Sequence, residues 1–263
     1  MGNAREEILT SVRDGHYAAK QIYCKDRLIA WSHSSRFRTG LALARPFAGR
    51  RMLDYGCGDG TFLALLHESG AAPSAAVGAD LDDAQVNDCR VRLGHLQGVR
   101  FERIADLDAP RHRDAYDVII CTEVLEHVVE LDAIIGSLHR MLADEGTLIV
   151  SVPVESGLPL VVKQTVRRIA GWRGIGDYKW TSAYTWRELA AGIFAGREPH
   201  ITRPIYHGAT GVPFHDHKGF NWKALADRLS RSFIIETIAA SPVAWLGPSL
   251  ATQVWFVARK KTV

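Results

Sequence analysis

Three glycines at alternate positions, Gly56, Gly58 and Gly60, mark the stretch of this 263-residue chain best suited to hold a small ligand. Glycine lets the backbone approach a ligand closely, and the amide groups that begin a helix are unpaired donors at its positive end. A short, mainly apolar run precedes the glycines, and helical periodicity follows them. The order strand, tight turn, helix therefore predicts a site for a small anionic or polar ligand.

The acidic residue Asp80 ends the next predicted strand, about 20 residues after the glycines, where a carboxylate can accept from both ribose hydroxyls of an adenosine cofactor. The dinucleotide fingerprint places its third glycine where Thr61 stands in this sequence. A phosphate-binding P-loop needs a following Gly-Lys-Ser/Thr, which is missing here. A pyrophosphate ligand is therefore not favoured.

Apolar strand-like runs alternate with amphipathic helical segments up to Pro153. This alternation predicts an α/β fold with a doubly wound, mainly parallel seven-stranded sheet. The connection between the two C-terminal strands is too short for a helical crossover, so the last strand should be antiparallel. The predicted strands cover residues 51–55, 75–79, 99–104, 116–121, 147–152, 233–239 and 253–258.

Four segments follow from this pattern. They are an N-terminal helical lead-in at residues 1–46, a Rossmann-like core at 47–153, a cap inserted after the fifth strand at 154–220, and a helix with a strand pair at 221–263. An irregular insertion after a regular sheet is where a substrate-binding cap would lie.

The overall charge and the cysteines say less about function. A net charge of +3 from 32 basic and 29 acidic residues neither requires nor excludes nucleic acid or a membrane as partner. The four cysteines form no C-x-x-C pair, and neither a signal peptide nor an apolar run long enough to span a membrane is present. We expect reduced thiols, a cytoplasmic location and no obligatory nucleic-acid partner; oligomeric state is left open.

These motifs resemble the class I S-adenosylmethionine-dependent methyltransferases, in particular the branch of the ubiquinone-type O-methyltransferases. The resemblance covers about residues 50–153, and the terminal strand pair agrees with that family's sixth and seventh strands. It implies S-adenosylmethionine as cofactor and transfer of its methyl group to a small-molecule acceptor, with a hydroxyl oxygen favoured. The segments that carry it are residues 53–60, 77–80, 106–107, 116–119 and 123–127.

The resemblance also implies a cofactor site along the ends of the predicted strands. Asp80 would hold the ribose hydroxyls and Asp106 would accept from the adenine amino group. Arg36 would bind the cofactor carboxylate or, alternatively, lie on a helix surface. Asp54 would meet the cofactor amine or, alternatively, satisfy amides of the loop. The implied cofactor-binding residues are Arg36, Asp54, Gly56, Cys57, Gly58, Asp80, Leu81, Asp106, Leu107, Thr122 and Glu123.

Among these residues, Gly56, Cys57 and Gly58 would line the methionyl part, and Leu81 would pack on the adenine. Thr122 and Glu123 would flank the sulfonium end.

A histidine is the expected base for a hydroxyl acceptor, because its pKa lies near neutrality. Holding the acceptor and the methyl group in line can supply much of the remaining catalysis. His127 is closest in sequence to the cofactor motifs, and His33 and His207 could also reach the pocket from the flanking segments. We name His127, His215 and His217 as the catalytic candidates.

The pattern Glu123-x-x-Glu126-His127 also resembles the metal-dependent 2'-O-methyltransferases that act on small-RNA 3' ends. Those enzymes use a second histidine further on, and the matching neighbourhood at residues 177–180 has none. We therefore predict no metal ligands and a hydrogen-bonded, buried histidine in the pocket wall. A metal-dependent RNA methyltransferase and a non-catalytic cofactor-binding module remain the alternative functions.

We expect the cap to determine which acceptor binds. Residues 158–172 predict a basic amphipathic helix with Leu158 and Val162 on its apolar face and Lys163 elsewhere. Such a helix could be a lid over the pocket, a peripheral contact with an anionic membrane, or ordinary cap packing. An aromatic wall for the acceptor is predicted from Trp172, Tyr178, Trp180 and Tyr184, which could equally form the core of the cap.

Overall fold

The computed structural model describes residues 2–172, 184–198, 201–208 and 210–262, and for residues 2–4, 166–172 and 246 it describes the backbone alone. Nine helices and nine strands lie in these ranges. The helices are α1 Gly2–Asp14, α2 His16–Gln21, α3 Arg27–Ala44, α4 Thr61–Glu68, α5 Asp83–Arg92, α6 Leu131–Met141, α7 Gly157–Trp172, α8 Trp186–Ile193 and α9 Trp222–Ser232. The strands are β1 Arg51–Tyr55, β2 Ala75–Asp80, β3 Val99–Arg103, β4 Tyr116–Thr122, β5 Leu142–Pro153, β6 Ile205–His207, β7 Pro213–His215, β8 Phe233–Ser241 and β9 Gln253–Lys260.

Seven of the strands form one sheet in the order β3-β2-β1-β4-β5-β9-β8. The pairs among β1 to β5 are parallel, whereas β9 is antiparallel to both of its neighbours. The predicted α/β class and the antiparallel last strand are therefore confirmed. The strand order reverses between β1 and β4, and ligands of open α/β sheets bind at the carboxyl ends of the strands beside such a reversal.

Apolar side chains on both faces of the sheet produce two separate cores. The neighbours Met52 and Leu53 of β1 point to opposite faces, as successive strand residues must. Met52 packs in the core that holds residues of α1, α3, α4 and α5. Leu53 packs in the core that holds residues of α6 and α9. Helices thus cover both faces, which explains why β4 is an almost continuous apolar run.

The N-terminal helices lie against the same end of the sheet as the glycine turn. A Cβ atom at Gly40 of α3 would lie 2.8 Å from the ring of Trp255 and 2.9 Å from that of Phe62. The absence of a side chain at Gly40 therefore allows α3 to pack closely on the sheet. This contact places Tyr17, Arg36 and the other residues of the helical lead-in beside the predicted site.

Among the described residues of the predicted cap, 154–220, are α7, α8 and the small ribbon β6–β7. Its strands are three residues long and carry no alternating apolar pattern, so nothing in the sequence indicates them. The ribbon is joined to the core by a bridge between Val128 and Phe214 and by a hydrogen bond of 2.9 Å from the His215 amide to the His127 carbonyl. No described helix is both long and apolar enough to cross a membrane.

The predicted inner face of α7 is wrong at two positions. Leu158 and Val162 are exposed, by 62% and 59%, whereas Leu160 is fully buried. Lys163, predicted to lie away from the inner face, forms an ion pair of 2.9 Å with the buried carboxylate of Glu155. Leu160 and Lys163 are three residues apart and share one side of the helix, so the ion pair and the apolar contact turn the same face inward.

Candidate active site

The glycine turn after β1 has a backbone that only glycine adopts easily. Gly56, Gly58 and Gly60 have φ angles of +77°, +54° and +71°. A Cβ atom at Gly56 would lie 2.3 Å from Cγ2 of Val124, so a side chain at this position would collide with the segment after β4. The turn is held to the end of β2, because the amides of Gly56 and Cys57 both donate to the carbonyl of Ala79, at 2.8 and 2.9 Å.

Asp80 at the end of β2 is hydrogen-bonded to backbone amides of the site. Its Oδ2 accepts from the Gly58 amide at 2.8 Å, and its Oδ1 accepts from the Asp82 amide at 3.1 Å. A carboxylate oxygen has two lone pairs, so Asp80 can also accept from ribose hydroxyls. Its predicted ribose contact stays a prediction, and the structure adds a second role in fixing the turn.

A cavity of about 250 Å³ opens beside the turn. It combines residues of the N-terminal helices, the glycine turn and the segment after β4. Its lining consists of His16, Tyr17, Arg36, Phe37, Asp54, Gly56, Cys57, Gly58, Asp59, Thr61, Phe62, Gln85, Thr122, Glu123 and Trp255.

Asp54 provides a buried negative group in the cavity wall. It is 1% exposed, and neither carboxylate oxygen has a hydrogen-bond partner among the described residues. The alternative that Asp54 satisfies loop amides is therefore wrong. Burial, followed by the nearby charges of Asp80 and Asp59, raises its pKa to about 8. An unpaired buried carboxyl is costly, and a cationic ligand group at this position would provide its partner.

Arg36 and Glu123 form a second charged pair in the cavity. Nη1 of Arg36 lies 3.3 Å from Oε2 of Glu123, and the Arg36 guanidinium also donates to the hydroxyl of Tyr17. The Arg36 side chain is 15% exposed, so the alternative of a surface arginine is wrong. The cation can therefore meet a ligand carboxylate inside the cavity.

Glu123 is held in an unusual backbone conformation by side-chain contacts. It has a φ of +57°, which is uncommon for a residue other than glycine. Its Oε1 accepts from Gln253 at 2.6 Å and from Ser151 at 3.1 Å. Burial alone would raise the pKa of Glu123, but Arg36 and the Gln253 hydrogen bond outweigh it, and the net pKa is lowered. The carboxylate is thus kept ionised.

The sequence analysis missed the part that Asp59 and Tyr17 take in the site. Oδ2 of Asp59 accepts from the amides of Tyr17 and Ala18, at 2.8 and 3.2 Å, and Oδ1 accepts from the amide of Thr61 at 3.2 Å. The Tyr17 hydroxyl lies 2.6 Å from Nδ1 of His33, so His33 contacts the cavity lining through Tyr17. No motif surrounds Tyr17, whereas the position of Asp59 between Gly58 and Gly60 is a signal that indicates a role in the turn.

Four predicted cofactor residues are not in the cavity lining: Asp80, described above, and Asp106, Leu81 and Leu107. Asp106 forms an ion pair of 2.9 Å with Arg103, and this contact lowers the pKa of Asp106. Leu81 is 47% exposed, and Leu107 packs in the core on the α6 side of the sheet. Their adenine contacts stay predictions, which would require a ligand extending beyond the cavity along the ends of β2 and β3.

The structure brings two of the candidate histidines together. The rings of His127 and His217 meet edge to face with centroids 4.8 Å apart, and ligand atoms of Glu126, His127 and His217 all lie within 4.8 Å of one another. His217 lies far in sequence from the neighbourhood of residues 177–180 that has no histidine, and β7 and the turn after it bring it beside His127. The side chain of His215 is not part of this group, and its Nδ1 donates to the carbonyl of Pro204 at 2.8 Å.

Burial controls the protonation of this group. It lowers the pKa of His217 to about 4, with the neighbouring His127 adding to the effect. It also raises the pKa of Glu126 well above its usual value, with help from the charge of Glu123. The group therefore lies within electrostatic reach of Glu123 at the end of the cavity.

Tyr184 is the residue of the predicted aromatic wall whose side chain the structure describes. Its hydroxyl accepts from the Gly219 amide at 3.0 Å, and the ammonium of Lys218 lies 5.5 Å from its ring centroid. These contacts join Tyr184 to the segment that carries His217. Tyr178, Trp180 and the side chain of Trp172 lie outside the described residues.

Residues 31–192 match the sequence profile of a family described as a methyltransferase domain. The chain belongs to this methyltransferase family. An enzyme named ubiquinone biosynthesis O-methyltransferase from Mesorhizobium japonicum is 27% identical over 220 residues, which cover 80% of this methyltransferase and 76% of the relative. The enzyme of the same name from Azorhizobium caulinodans is 30% identical over 210 residues, covering 73% and 72% of the two chains.

A solved structure shares the fold. An S-adenosylmethionine-dependent methyltransferase from Mesorhizobium loti superposes with a TM-score of 0.52 at 19% identity, over 84% of this methyltransferase and 96% of that chain. The family match and the relatives identify a methyltransferase, and the solved structure shows that it has the same fold as an S-adenosylmethionine-dependent one.

The cavity fits this cofactor chemically. The methionyl end of S-adenosylmethionine carries an ammonium and a carboxylate, and the lining offers the unpartnered carboxyl of Asp54 and the guanidinium of Arg36. The glycine turn leaves backbone open to the ligand at Gly58, where an added Cβ atom would meet nothing closer than 3.9 Å.

Proposed function

We propose that this methyltransferase transfers the methyl group of S-adenosylmethionine to a hydroxyl oxygen of a small-molecule acceptor. The observation that carries the proposal is the position of the buried Glu126 and the partly exposed His127 and His217 next to Glu123, at one end of the cofactor cavity. Groups able to take up or direct a hydroxyl proton thus lie beside the predicted sulfonium end. The relatives named O-methyltransferases, matched over about three quarters of their length, support the same reaction.

The cofactor would supply an electrophilic methyl group on a positively charged sulfur. Asp54 would hold its ammonium and Arg36 its carboxylate, so that the methyl group points toward Thr122 and Glu123. Ionised Glu123, fixed by Gln253 and Arg36, would favour the positive sulfonium at that place. These fixed contacts provide the in-line placement on which the displacement depends.

The acceptor hydroxyl would lose its proton at His127. Nδ1 of His127 lies 2.8 Å from the carbonyl of His215, to which it donates, so Nε2 carries the lone pair. The ring is 36% exposed and is reachable by an acceptor. His217 is less suited to take up a proton, because its lowered pKa keeps it neutral.

The acceptor class can be tested with methyl-labelled S-adenosylmethionine and a panel of phenolic, sugar, lipid and RNA acceptors. We expect transfer to a small hydroxylated acceptor and a turnover at least 10-fold lower in His127→Ala, with little change in affinity for S-adenosylhomocysteine. His95→Ala, which changes an exposed histidine in the turn after α5, is the matched control. Transfer to RNA alone, or no transfer to any acceptor, would refute the proposal.

A further inference from the structure

A second cavity lies at the edge of the sheet opposite the cofactor cavity. It has a volume of about 260 Å³ and is lined by residues at the amino ends of β1, β2, β3 and β4. Tyr116 begins β4 in this cavity, whereas Thr122 ends the same strand in the cofactor cavity. A strand rises about 3.3 Å per residue, so the two cavities are roughly 20 Å apart. They share no lining residue, so a ligand bound here would not compete with the cofactor.

The permanently charged side chains of this lining are all cationic. Arg51, Arg100 and Arg111 come from β1, β3 and a short 3-10 helix after β3, and no aspartate or glutamate is among the described lining residues. A neighbouring cavity of about 510 Å³ shares Arg100 and Arg111 but also contains Glu102 and Asp106, so the charges there are more nearly balanced. The smaller cavity is therefore the one suited to an anion.

Two of the three arginines are oriented by carboxylates that lie outside the lining. Arg51 donates from Nε and Nη2 to Asp117, at 3.2 and 2.8 Å. Arg111 donates from Nη2 to Glu102 at 2.7 Å. A guanidinium has five N–H donors, so each of these arginines keeps donors for a ligand. The exposed Arg100 side chain forms neither an ion pair nor a hydrogen bond within the described ranges, and an anionic ligand would provide its partner.

The inner wall of the cavity is ordered and uncharged. The hydroxyl of Tyr116 lies 2.5 Å from Nδ1 of His112, and both residues are buried. Burial lowers the pKa of His112 and raises that of Tyr116 to about 12, so both are neutral at neutral pH. Nε2 of His112 lies 3.2 Å from Oε2 of Glu102, the carboxylate that also holds Arg111. The wall and the Arg111 guanidinium are thus joined in one network.

Small apolar side chains complete the lining. They belong to Ala75, Ala76 and Val77 at the start of β2 and to Ala115 just before β4. An apolar surface of this kind gains free energy when an apolar group covers it, and ligand pockets commonly combine such a surface with a few polar groups. A bare inorganic anion would leave this part of the cavity uncovered. The lining therefore suits an anion that carries an organic body.

We propose that this cavity binds a small organic phosphate, with an aromatic phosphate monoester as its simplest form. Three guanidiniums from three separate elements line the cavity, and the three terminal oxygens of a phosphate can accept from all of them. The two oxygens of a carboxylate match a single guanidinium fork. The organic body would lie on the apolar side chains at the start of β2.

Phenyl phosphate is the probe for this site. The protein is kept saturated with S-adenosylhomocysteine, so that the cofactor cavity is filled, and binding is measured by calorimetry. We expect one phenyl phosphate per chain, bound at least about 10-fold more tightly than inorganic phosphate, benzoate or phenol. Inorganic phosphate lacks the organic body, phenol lacks the charge, and benzoate replaces the phosphate by a carboxylate.

Three variants test the contacts. Arg100→Gln removes the unpaired cation and should weaken phenyl phosphate binding about 10-fold or more. Arg113→Gln makes the same change of charge at an exposed arginine outside the lining and should bind as the parent protein does. Ala75→Leu occupies the apolar surface, so it should weaken phenyl phosphate about 10-fold and inorganic phosphate little. Thermal melts and an unchanged affinity for S-adenosylhomocysteine verify the folding of each variant.

Each outcome decides for or against the site, whether or not methyl transfer is observed. Loss of binding in Arg100→Gln and Ala75→Leu, with normal binding in Arg113→Gln, supports it. No saturable binding of phenyl phosphate, or equal affinity in the parent protein and Arg100→Gln, would overturn it. Benzoate bound as tightly as phenyl phosphate would overturn the choice of phosphate, and an equal loss in Arg113→Gln would show an effect of surface charge instead of contact with the lining.

Discussion

The buried carboxyl of Asp54 makes the affinity for the cofactor depend on pH. In the ligand-free protein its pKa is raised to about 8 by burial and by Asp80 and Asp59, so it holds its proton at neutral pH. The ligand ammonium needs the ionised carboxylate. At pH 7 the removal of this proton costs about 1.4 kcal/mol, because a group with a pKa near 8 is roughly one tenth ionised. Ligand binding should therefore release a proton and strengthen as pH rises.

S-adenosylhomocysteine is the suitable ligand for this measurement, because it carries the same ammonium and carboxylate and transfers nothing. Its dissociation constant should fall roughly 50- to 100-fold between about pH 5.5 and 7.5, and calorimetry in buffers of different ionisation enthalpy should detect proton release. Asp54→Asn should bind more weakly at pH 7.5 and show a flatter profile. Burial lowers the pKa of His33, so this residue also contributes to the pH dependence of binding. Because His33 is present in both the parent protein and Asp54→Asn, its contribution cancels when the two profiles are compared.

The same shift predicts how the stability of the ligand-free protein changes with pH. The folded pKa of Asp54 is higher than its unfolded value of 3.8, so the folded state binds more protons between these two values. The free energy of unfolding of the ligand-free protein should therefore fall as pH rises through this window, and bound ligand should offset this loss of stability. A flat binding profile in the parent protein, or an equally steep one in Asp54→Asn, would refute the assignment of Asp54 to the ligand ammonium.

Three further substitutions test the turn and its supports. Gly56→Ala should weaken S-adenosylhomocysteine binding, measured by calorimetry, at least 10-fold, because the added Cβ would collide with Val124. Gly70 is the control, since its φ of +73° is similar but the space around it is open. Gly70→Ala should therefore cost only about 1 kcal/mol of stability. Asp59→Ala should lower the free energy of unfolding by about 2–3 kcal/mol in urea, because three amides lose their acceptor. A loss under 0.5 kcal/mol would contradict that role. Arg36→Ala should lower the affinity for S-adenosylhomocysteine about 10-fold and the affinity for a decarboxylated analogue far less. Equal losses of affinity for both ligands would exclude a carboxylate contact.

The sheet could be predicted because its signals are local. Strand runs such as residues 116–121 are nearly all apolar, and the glycines at 56, 58 and 60 mark the turn with their spacing. The strand order near the turn follows from the few topologies that such alternating elements can form.

The acceptor end could not be predicted because its contacts are distant in sequence. His217 contacts His127, 90 residues away in sequence, because of a ribbon whose strands show no periodic apolar pattern. Nothing in the sequence indicates which of the other histidines will lie beside His127. Tyr17 likewise enters the cavity through a hydrogen bond to Asp59, 42 residues away. The inner face of α7 was predicted wrongly because helical periodicity depends only on the positions of apolar residues. It gives no information about the ion pair with Glu155 that turns Lys163 inward.

The ribbon β6–β7 separates two properties that could evolve at different rates. It is joined to the core through backbone groups, by the His215 amide on the His127 carbonyl and the bridge at Val128. Backbone attachment tolerates exchange of side chains in the ribbon and in the segment after it. Lineages could therefore alter the predicted acceptor end by exchanging side chains of β6 and β7, as long as Arg203 keeps its hydrogen bonds to the carbonyls of Glu126 and Asp216, while the glycine turn, and with it the methyl donor, stays unchanged.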